Sequence, residues 1–291
     1  MRTVLNPIQL PPRERRPEGL ALLHTTSAAP PDKNERSSVG SDDPSRHGPP
    51  GTGPDGGKLR LALVGNPNVG KSVLFNRLTG AYVVVSNYPG TSVAVTHGHG
   101  HVGDREVEVV DTPGAYALVP GTEEERVTQK AILDGTADVL VHVVDAKNLP
   151  RSLPFTLQLL NCGRPLVLVL NMMDELDELG VTVNLDLLKE RLGVPVVPMV
   201  AIRGQGLDLL GDAVEEALRT PPPPPPEYAN GVGAAVTAVR SHLAAEYGVD
   251  ATAIASLALQ RDEDATRLVR EREEDGGIAA LGAVEESAAT L

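Results

Sequence analysis

Residues 65–72 read Gly65-Asn66-Pro67-Asn68-Val69-Gly70-Lys71-Ser72, two glycines with four residues between them, followed by a lysine and a serine. The apolar stretch Leu59–Val64 before them predicts a buried strand, and Val73–Leu78 after them predicts the first turns of a helix. A strand that leads through a glycine-rich loop into a helix N-terminus offers free backbone N–H groups and a favourable dipole to an anion. The stretch therefore predicts a phosphate-binding loop, with a purely structural glycine-rich turn as the alternative.

The residue types in this loop suit a nucleotide and its metal ion. Gly70 lets the backbone close around phosphate oxygens, because it has no Cβ. Lys71 brings a point charge to the β and γ phosphates, and Ser72 offers a hydroxyl to Mg²⁺. We therefore expect nucleotide binding here.

The composition excludes several classes of protein. The 291 residues carry a formal net charge of −13, which argues against a nucleic-acid-binding surface. A single cysteine, Cys162, excludes an internal disulfide and fits a reducing compartment. No apolar run approaches the ~20 residues that a membrane helix needs. The N-terminus also lacks the apolar stretch of a secretory signal, so we expect a cytoplasmic chain without a membrane span.

Composition also divides the chain into four parts. Residues 1–57 are dense in proline, glycine, serine and charge, so we expect a disordered N-terminal tail. Residues 58–220 hold the strand and helix patterns of the main domain. The six prolines of 221–226 predict a stiff polyproline linker. Residues 227–291 are acidic and predict a small helical module.

The helical prediction for this last part depends on apolar spacing. Apolar residues recur at intervals of four, three, four and four, which is one face of a helix. Gly248 is expected to end that helix, and Asp250 to cap the next one. The residues of the apolar face are Val232, Val236, Val239, Leu243 and Tyr247.

Strand and helix patterns alternate along residues 58–220, which predicts an α/β fold with a largely parallel sheet and helices on both faces. The ligand of such a sheet lies at the carboxyl ends of its strands. One helix is expected from Thr122 to Asp134, with Thr122 as N-cap and Glu125 completing a capping box. The other predicted elements are strands at 106–110, 139–145, 165–170 and 194–200, and helices at 153–160, 185–192 and 207–218.

Two further loops offer ligands for a metal ion or a phosphate. Thr91 and Ser92 lie in a segment that mixes β-branched residues with a Pro-Gly turn, and either hydroxyl suits a coordination position on Mg²⁺; a plain surface loop is the alternative. Asp111 follows a buried strand and offers a carboxylate to the same ion. Gly114 can donate its backbone N–H to a γ-phosphate, and its small size lets the loop move when that phosphate leaves.

Five segments, at 65–72, 91–92, 111–114, 171–174 and 200–202, stand in an order that resembles the small-GTPase fold. More narrowly, the chain resembles the cytosolic GTPase domain of the ferrous-iron transport protein B (FeoB) family. The resemblance covers 58–220 well, 227–291 loosely through Ile254–Leu259, and 1–57 not at all. The residues that carry it are Gly65-Asn66-Pro67-Asn68, Val85-Ser86-Asn87-Tyr88-Pro89-Gly90, Asp111-Thr112-Pro113-Gly114-Ala115-Tyr116 and Asn171-Met172-Met173-Asp174.

The resemblance implies a P-loop GTPase fold that binds GTP or GDP with Mg²⁺ and hydrolyses GTP slowly. It implies a switch domain associated with ferrous iron uptake, whose partner is a membrane permease. The expected location is the cytoplasm, peripheral at the inner face of the cell membrane through that permease. The membrane-spanning part of the family has no counterpart in this sequence, so we expect that this chain alone carries no iron across a bilayer.

The resemblance also implies which residues recognise the base. Asp174 accepts hydrogen bonds from the guanine ring N–H and amino group, a donor pair that adenine lacks. Asn171 ties its loop to the phosphate loop, and the Ala201 backbone N–H meets the guanine carbonyl. Met172 takes the place of a lysine common in other GTPases and covers the ring. The predicted nucleotide contacts are Gly65, Asn66, Pro67, Asn68, Val69, Gly70, Lys71, Ser72, Thr91, Ser92, Asp111, Thr112, Pro113, Gly114, Asn171, Met172, Asp174, Val200, Ala201 and Ile202.

Hydrolysis is expected to depend on positioning and on charge neutralisation. Ala115 stands where Ras-like proteins keep a water-orienting glutamine, which is why slow turnover is expected. Some GTPases that resemble this chain use potassium through an asparagine at the place of Asn68; hydrogen bonding of Asn68 within its own loop is the alternative. The predicted catalytic residues are Lys71, Asn68 and Gly114, and the predicted metal ligands are Ser72, Thr91, Ser92 and Asp111, with the choice between Thr91 and Ser92 left open.

Three histidines alternate at His97, His99 and His101, which places them on one face of a strand roughly 7 Å apart in succession. A solvated hairpin edge is the preferred interpretation, and a transition-metal site is the other. Two other functions compete with the leading one. They are a ribosome- or RNA-associated GTPase of the Era-like kind, which the acidic C-terminal module disfavours, and a nucleotide-binding scaffold without turnover.

Overall fold

The computed structural model describes residues 58–228, 231–273 and 276–288. The prediction of a disordered tail at 1–57 lies outside these residues. Within them, seven strands form one sheet in the order β2-β3-β4-β1-β5-β6-β7. The strands are β1 Leu59–Val64, β2 Thr79–Asn87, β3 Ala94–Val102, β4 Arg105–Asp111, β5 Val139–Asp145, β6 Leu166–Asn171 and β7 Val196–Pro198.

The sheet is largely parallel, as predicted. Strands β4, β1, β5, β6 and β7 are parallel neighbours, whereas β3 runs antiparallel to both β2 and β4. Strand and helix therefore do not alternate throughout, because β2, β3 and β4 follow one another without a helix. The predicted last strand is also shorter than 194–200.

Six α-helices of residues 58–220 surround the sheet: α1 Lys71–Leu78, α2 Glu123–Leu133, α3 Leu149–Leu160, α4 Met173–Glu178, α5 Leu185–Leu192 and α6 Leu207–Arg219. The α3 helix begins four residues earlier than predicted, with a proline in its first turn, where the missing N–H costs nothing. Thr122 caps α2 by accepting from the Glu125 backbone N–H at 3.2 Å. The capping box is only half formed, because the Glu125 carboxylate accepts from Gly121 N at 2.7 Å instead.

Helices cover both faces of the sheet, so the side chains of β1 are buried on both sides. Leu61 and Leu63 belong to the core shared with α1 and α6, whereas Ala62 and Val64 belong to the core shared with α2 and α3. Parallel strands between two helical layers are typically apolar at every position for this reason. The loops at the carboxyl ends of the strands are thus held on a rigid base.

The C-terminal module comprises α7 Val232–Arg240, α8 Ala251–Leu259, α9 Glu263–Arg272 and α10 Gly276–Ala288. The predicted helix does not continue to Gly248, since α7 ends at Arg240. The Glu273 carboxylate accepts from Ala244 N at 2.7 Å and Ala245 N at 2.8 Å, and these contacts hold the chain in a loop. Asp250 caps α8 as predicted, through the Thr252 N–H at 2.8 Å.

The module packs directly on the main domain. Tyr247, Ile254 and Leu257 belong to the same core as α3. A polar contact joins α2 to α9, where Arg126 Nη1 donates to Asp264 Oδ2 at 2.7 Å. In the described parts of the chain, no helix has the length and apolar character needed to cross a membrane.

Candidate nucleotide-binding site

The loop between β1 and α1 has a backbone that only glycine can form at two positions. Gly65 has φ +144°, and a Cβ there would lie 2.1 Å from the Val143 carbonyl oxygen. Gly70 has φ +92°, and a Cβ there would lie 2.3 Å from the Asn171 Nδ2 atom. Both contacts are far below van der Waals distance, so the two glycines allow the loop to lie against its neighbours.

Lys71 lies across this loop. Its Nζ donates to the carbonyl oxygens of Gly65 and Asn66, both at 3.0 Å. Burial lowers the pKa of Lys71, and the nearby Asp111 carboxylate opposes that shift. The ammonium group is therefore held beside the loop by neutral acceptors, which phosphate oxygens can replace with stronger, charge-assisted contacts.

A buried histidine lies under the loop and was missed by the sequence reasoning. His142 of β5 has no exposed surface, and burial together with the charge of Lys71 lowers its pKa to about 3. Its Nδ1 lies 3.2 Å from Thr156 Oγ1. The imidazole is therefore neutral at physiological pH and adds no positive charge beneath Lys71. Its position in an otherwise apolar strand was the available signal.

Ser72 and Asp111 meet at the mouth of the loop. Ser72 Oγ donates to Asp111 Oδ2 at 2.7 Å. The other oxygen, Asp111 Oδ1, is buried and has no hydrogen-bond partner among the described residues. Burial raises the pKa of Asp111, against the effects of Ser72 and Lys71. A hydroxyl beside a carboxylate with an unsatisfied oxygen is a ligand set that fits Mg²⁺.

A cleft of about 660 Å³ opens between the phosphate loop and the segments that carry Ser92 and Gly114. Ser92 lines it, whereas Thr91 Oγ1 donates to the Tyr88 carbonyl oxygen at 3.0 Å and closes a turn. Glu124 also lines the cleft and was missed, although it lies in the first turn of the helix after the Asp-Thr-Pro-Gly loop. The predicted residues that line the cleft are Pro67, Asn68, Lys71, Ser72, Ser92, Asp111, Thr112, Pro113 and Gly114.

The loop after β4 lies close against the phosphate loop. A Cβ on Gly114 would lie 2.6 Å from Pro67 Cγ, so only glycine fits this approach. Thr112 Oγ1 donates to the Leu63 carbonyl oxygen at 2.8 Å and fixes the start of the segment. Ala115 is 1% exposed, and its N–H donates to the Gly65 carbonyl oxygen at 3.0 Å. The Ala115 side chain, aligned with the water-orienting glutamine of Ras-like proteins, is therefore buried.

Asn171 connects three loops, at the end of β6. Its Nδ2 donates to the Val69 carbonyl oxygen at 2.9 Å, which places it against the phosphate loop as expected. Its Oδ1 accepts from Ala201 N at 2.9 Å. The buried Asn171 side chain takes the Ala201 N–H in this structure, and the contact of that N–H with a guanine carbonyl stays a prediction.

Asp174 lies beside these loops, in the first turn of α4. Arg203 Nη2 lies 3.1 Å from Asp174 Oδ2, a pairing that the sequence reasoning missed. Met172 precedes the helix with φ +62°, which directs the chain sharply from β6 into α4. Ile202 is 71% exposed, and its carbonyl oxygen accepts from Arg77. Together these residues form a second loop cluster next to the phosphate loop.

The histidines of β3 lie on the hairpin away from this site. His97 Nδ1 lies 3.2 Å from Glu108 Oε1, and Arg60 Nε donates to Glu108 Oε2 at 2.9 Å. The hydrogen bond from His97, together with Arg60, lowers the pKa of Glu108 to about 2. Across the described ranges, no group of three or more His, Cys, Asp or Glu side chains is arranged to hold a metal ion. His97 is thus a hydrogen-bond partner of Glu108 on the hairpin.

The sheet order, the glycine loop and the two loops that converge on it define a nucleotide-binding protein of the P-loop GTPase fold. The family model described as ferrous iron transport protein B matches residues 59–214. The chain belongs to the ferrous iron transport protein B family.

Relatives and solved structures agree with this assignment. The Fe(2+) transporter FeoB of Shigella flexneri is 43% identical over 162 residues, which are 54% of this chain and 21% of that protein. The Fe(2+) transporter FeoB of Salmonella typhimurium is 44% identical over 162 residues, again 54% of this chain and 21% of that protein. The chain thus spans about a fifth of the length of these curated relatives.

Two solved structures illustrate the fold. A point mutant of S. thermophilus NFeoB bound to mGDP is 30% identical with a TM-score of 0.70, and the match covers 79% of this chain and 89% of that one. The cytosolic domain of the T. maritima FeoB iron transporter in its GMPPNP form is 26% identical with a TM-score of 0.66, and the match covers 79% of this chain and 98% of that one.

Proposed function

We propose that this chain binds GTP and GDP and hydrolyses GTP slowly, as a switch domain for ferrous iron uptake. The observation that carries the proposal is the double hydrogen bond of Asn171 to Val69 and Ala201. This side chain joins the phosphate loop to the loops that carry Asp174. A single ligand that contains both a triphosphate and a purine fits such an arrangement.

Asp174 is the group that would select guanine. Its carboxylate can accept from the ring N–H and the amino group of guanine, while adenine offers no matching pair of donors. Arg203 Nη2 lies 3.1 Å from Asp174 Oδ2, and each carboxylate oxygen has two lone pairs. Arg203 therefore leaves acceptor capacity for the base and holds the carboxylate in place.

Ser72, Asp111 and Ser92 are the residues that would hold Mg²⁺. When bound, the ion neutralises charge on the β and γ phosphates. Ser92 is preferred to Thr91 because it lines the cleft, whereas the Thr91 hydroxyl is engaged by Tyr88. Lys71 adds a second positive charge to the same phosphates.

Hydrolysis is an in-line attack by water on the γ-phosphate, which needs positioning and positive charge. Gly114 can donate its N–H to that phosphate, while the buried Ala115 has no group that orients water. Asn68 lines the cleft with a left-handed backbone, φ +62°, and its side chain has no hydrogen-bond partner within the described chain. That amide oxygen is available to a monovalent cation, which supports the proposal that potassium accelerates turnover.

The partner and the location follow from the relatives, which are named as Fe(2+) transporters and are much longer than this chain. A membrane permease for ferrous iron is therefore the proposed partner, and the cytoplasmic face of the cell membrane is the proposed place of action. Relatives that are named as Fe(2+) transporters do not favour a ribosome- or RNA-associated role. The module that packs on α2 and α3 is proposed to respond to the bound nucleotide, since α2 follows the Asp111–Gly114 loop.

The direct test is to measure binding of fluorescent GDP and ADP analogues, with and without Mg²⁺, together with phosphate release from GTP. Tight Mg²⁺-dependent binding of the guanine analogue and slow phosphate release are expected. Equal binding of both analogues would contradict the role of Asp174. Guanine binding without any phosphate release would favour a scaffold without turnover.

A further inference from the structure

A cavity of about 440 Å³ lies between α3 and the helical module. Its walls are mainly apolar and come from α3, α7 and α8, with Leu157, Val236 and Leu257 among them. It shares no lining residue with the nucleotide cleft. Its volume falls in the range of small-molecule sites.

Two residues that line this cavity each carry a buried polar atom without a hydrogen-bond partner among the described residues. Asn161 is 2% exposed, and its Nδ2 donates to Tyr228 Oη at 2.5 Å, which leaves Oδ1 buried and without a partner in the described chain. Ser256 Oγ, on the facing α8 helix, is also buried without a partner there. An unsatisfied buried polar atom destabilises the protein, so a ligand that reaches and satisfies both atoms would relieve that penalty.

The wall is also preformed. Gln158 Oε1 accepts from Leu118 N at 2.7 Å, and both residues line the cavity. This hydrogen bond ties α3 to the segment that follows the Asp111–Gly114 loop. A ligand that enters therefore has little side-chain ordering to impose on this part of the wall.

The lining limits the chemistry of the ligand. It holds no Asp, Glu, Lys, Arg or His side chain among the described residues, so a charged ligand would lose its hydration without gaining a counterion. Asn161 Oδ1 accepts only, while Ser256 Oγ can donate or accept. The geometry points to a site for a neutral, mainly apolar small molecule that carries a hydroxyl group, an alcohol or a phenol. Ketones, ethers and hydrocarbons would leave Asn161 Oδ1 unsatisfied.

The test titrates three ¹⁹F-labelled probes with the full chain and measures the binding of each probe by ligand-observed NMR. The probes are 4-fluorobenzyl alcohol, 4-fluorotoluene and 4-fluorobenzoate, which share a ring and differ in the group that would meet Asn161. We expect the alcohol to bind more tightly than the hydrocarbon, and the carboxylate not to bind. Equal affinities for alcohol and hydrocarbon, or no binding of the alcohol, would overturn the proposal and leave a water-filled cavity.

Variants locate the site. Asn161→Leu removes the acceptor, so we expect roughly a fivefold loss of alcohol affinity with no loss for the hydrocarbon. Ser256→Ala makes a smaller change to the wall and keeps the test decisive if Asn161→Leu fails to fold; it should also weaken the alcohol alone. Ser241→Ala, on the exposed end of α7, is the matched control and should change neither affinity. Unchanged alcohol affinity in a folded Asn161→Leu or Ser256→Ala variant would remove that residue from the site and contradict the assignment.

Discussion

The Asn171 side-chain amide donates to the Val69 carbonyl oxygen at 2.9 Å, across a sequence separation of 102 residues. The asparagine is 4% exposed, so the bond forms in a region without competing water. This buried hydrogen bond therefore fixes the phosphate loop to the loop after β6.

Asn171→Asp is predicted to destabilise the fold and to weaken GDP binding. The substitution keeps the size of the side chain but places a carboxylate against a carbonyl oxygen, at a cost of ~3 kcal/mol in the free energy of unfolding. Urea unfolding and GDP titration measure the two effects. Asn184→Asp is the matched control, because Asn184 caps α5 from an exposed position and aspartate caps a helix equally well. An Asn171→Asp variant as stable as that control would show that the contact is unimportant.

Ser72→Ala is predicted to weaken GDP binding at least tenfold in Mg²⁺ and to change it little in EDTA, because the hydroxyl beside Asp111 is the proposed metal ligand. Ser92→Ala should reduce the affinity for a non-hydrolysable GTP analogue in the same Mg²⁺-dependent way. Thr91→Ala is the matched comparison for the second switch position. If Thr91→Ala were the more damaging of the two, the assignment of Ser92 would be wrong.

Potassium is predicted to accelerate GTP hydrolysis severalfold over sodium at matched ionic strength. The reason is the free amide oxygen of Asn68 beside the cleft, which suits a cation that several neutral oxygens can coordinate. Phosphate release in the two salts measures the effect for the wild type and for Asn68→Ala, which should lose the difference. Equal rates in both salts for the wild type would dismiss the cation, and a partner protein would then have to supply the charge.

The contact between Arg126 and Asp264 is predicted to couple the nucleotide site to the helical module. Asp264 is 3% exposed, so a double-mutant cycle with Arg126→Ala and Asp264→Ala should give a coupling of about 1–2 kcal/mol in unfolding free energy. Each single variant should also change the GDP release rate. The exposed Lys189–Glu216 pair is the control, with an expected coupling of ~0.5 kcal/mol or less. Identical GDP release in all Arg126 and Asp264 variants would separate the module from the switch.

The loops at the strand ends could be predicted because spacing and residue type specify them. Gly65, Gly70 and Lys71 follow from the loop pattern, and the contact of Asn171 with the phosphate loop follows from the family resemblance. The end of α7 could not be predicted, because it depends on the distant carboxylate of Glu273, which draws residues 244 and 245 out of a helical path.

Other features depend on tertiary contacts that leave no periodic signal. The Ala201 N–H donates to Asn171, and Asp174 meets Arg203, only because three loops converge at one edge of the sheet. The choice between Thr91 and Ser92 likewise depends on a turn in which Thr91 contacts Tyr88. Sequence reasoning named both hydroxyls but could not say which one faces the cleft.

Asp174 is proposed to make this chain a guanine-nucleotide switch, and GDP and XDP affinities of the wild type and Asp174→Asn test that role. Asparagine replaces one carboxylate acceptor with a donor, which suits the ring carbonyl that xanthine presents in place of the guanine amino group. We expect that the wild type prefers GDP, and that Asp174→Asn loses guanine affinity by about a hundredfold or more and prefers XDP. A variant that keeps full GDP affinity and gains none for XDP would show that Asp174 does not select guanine.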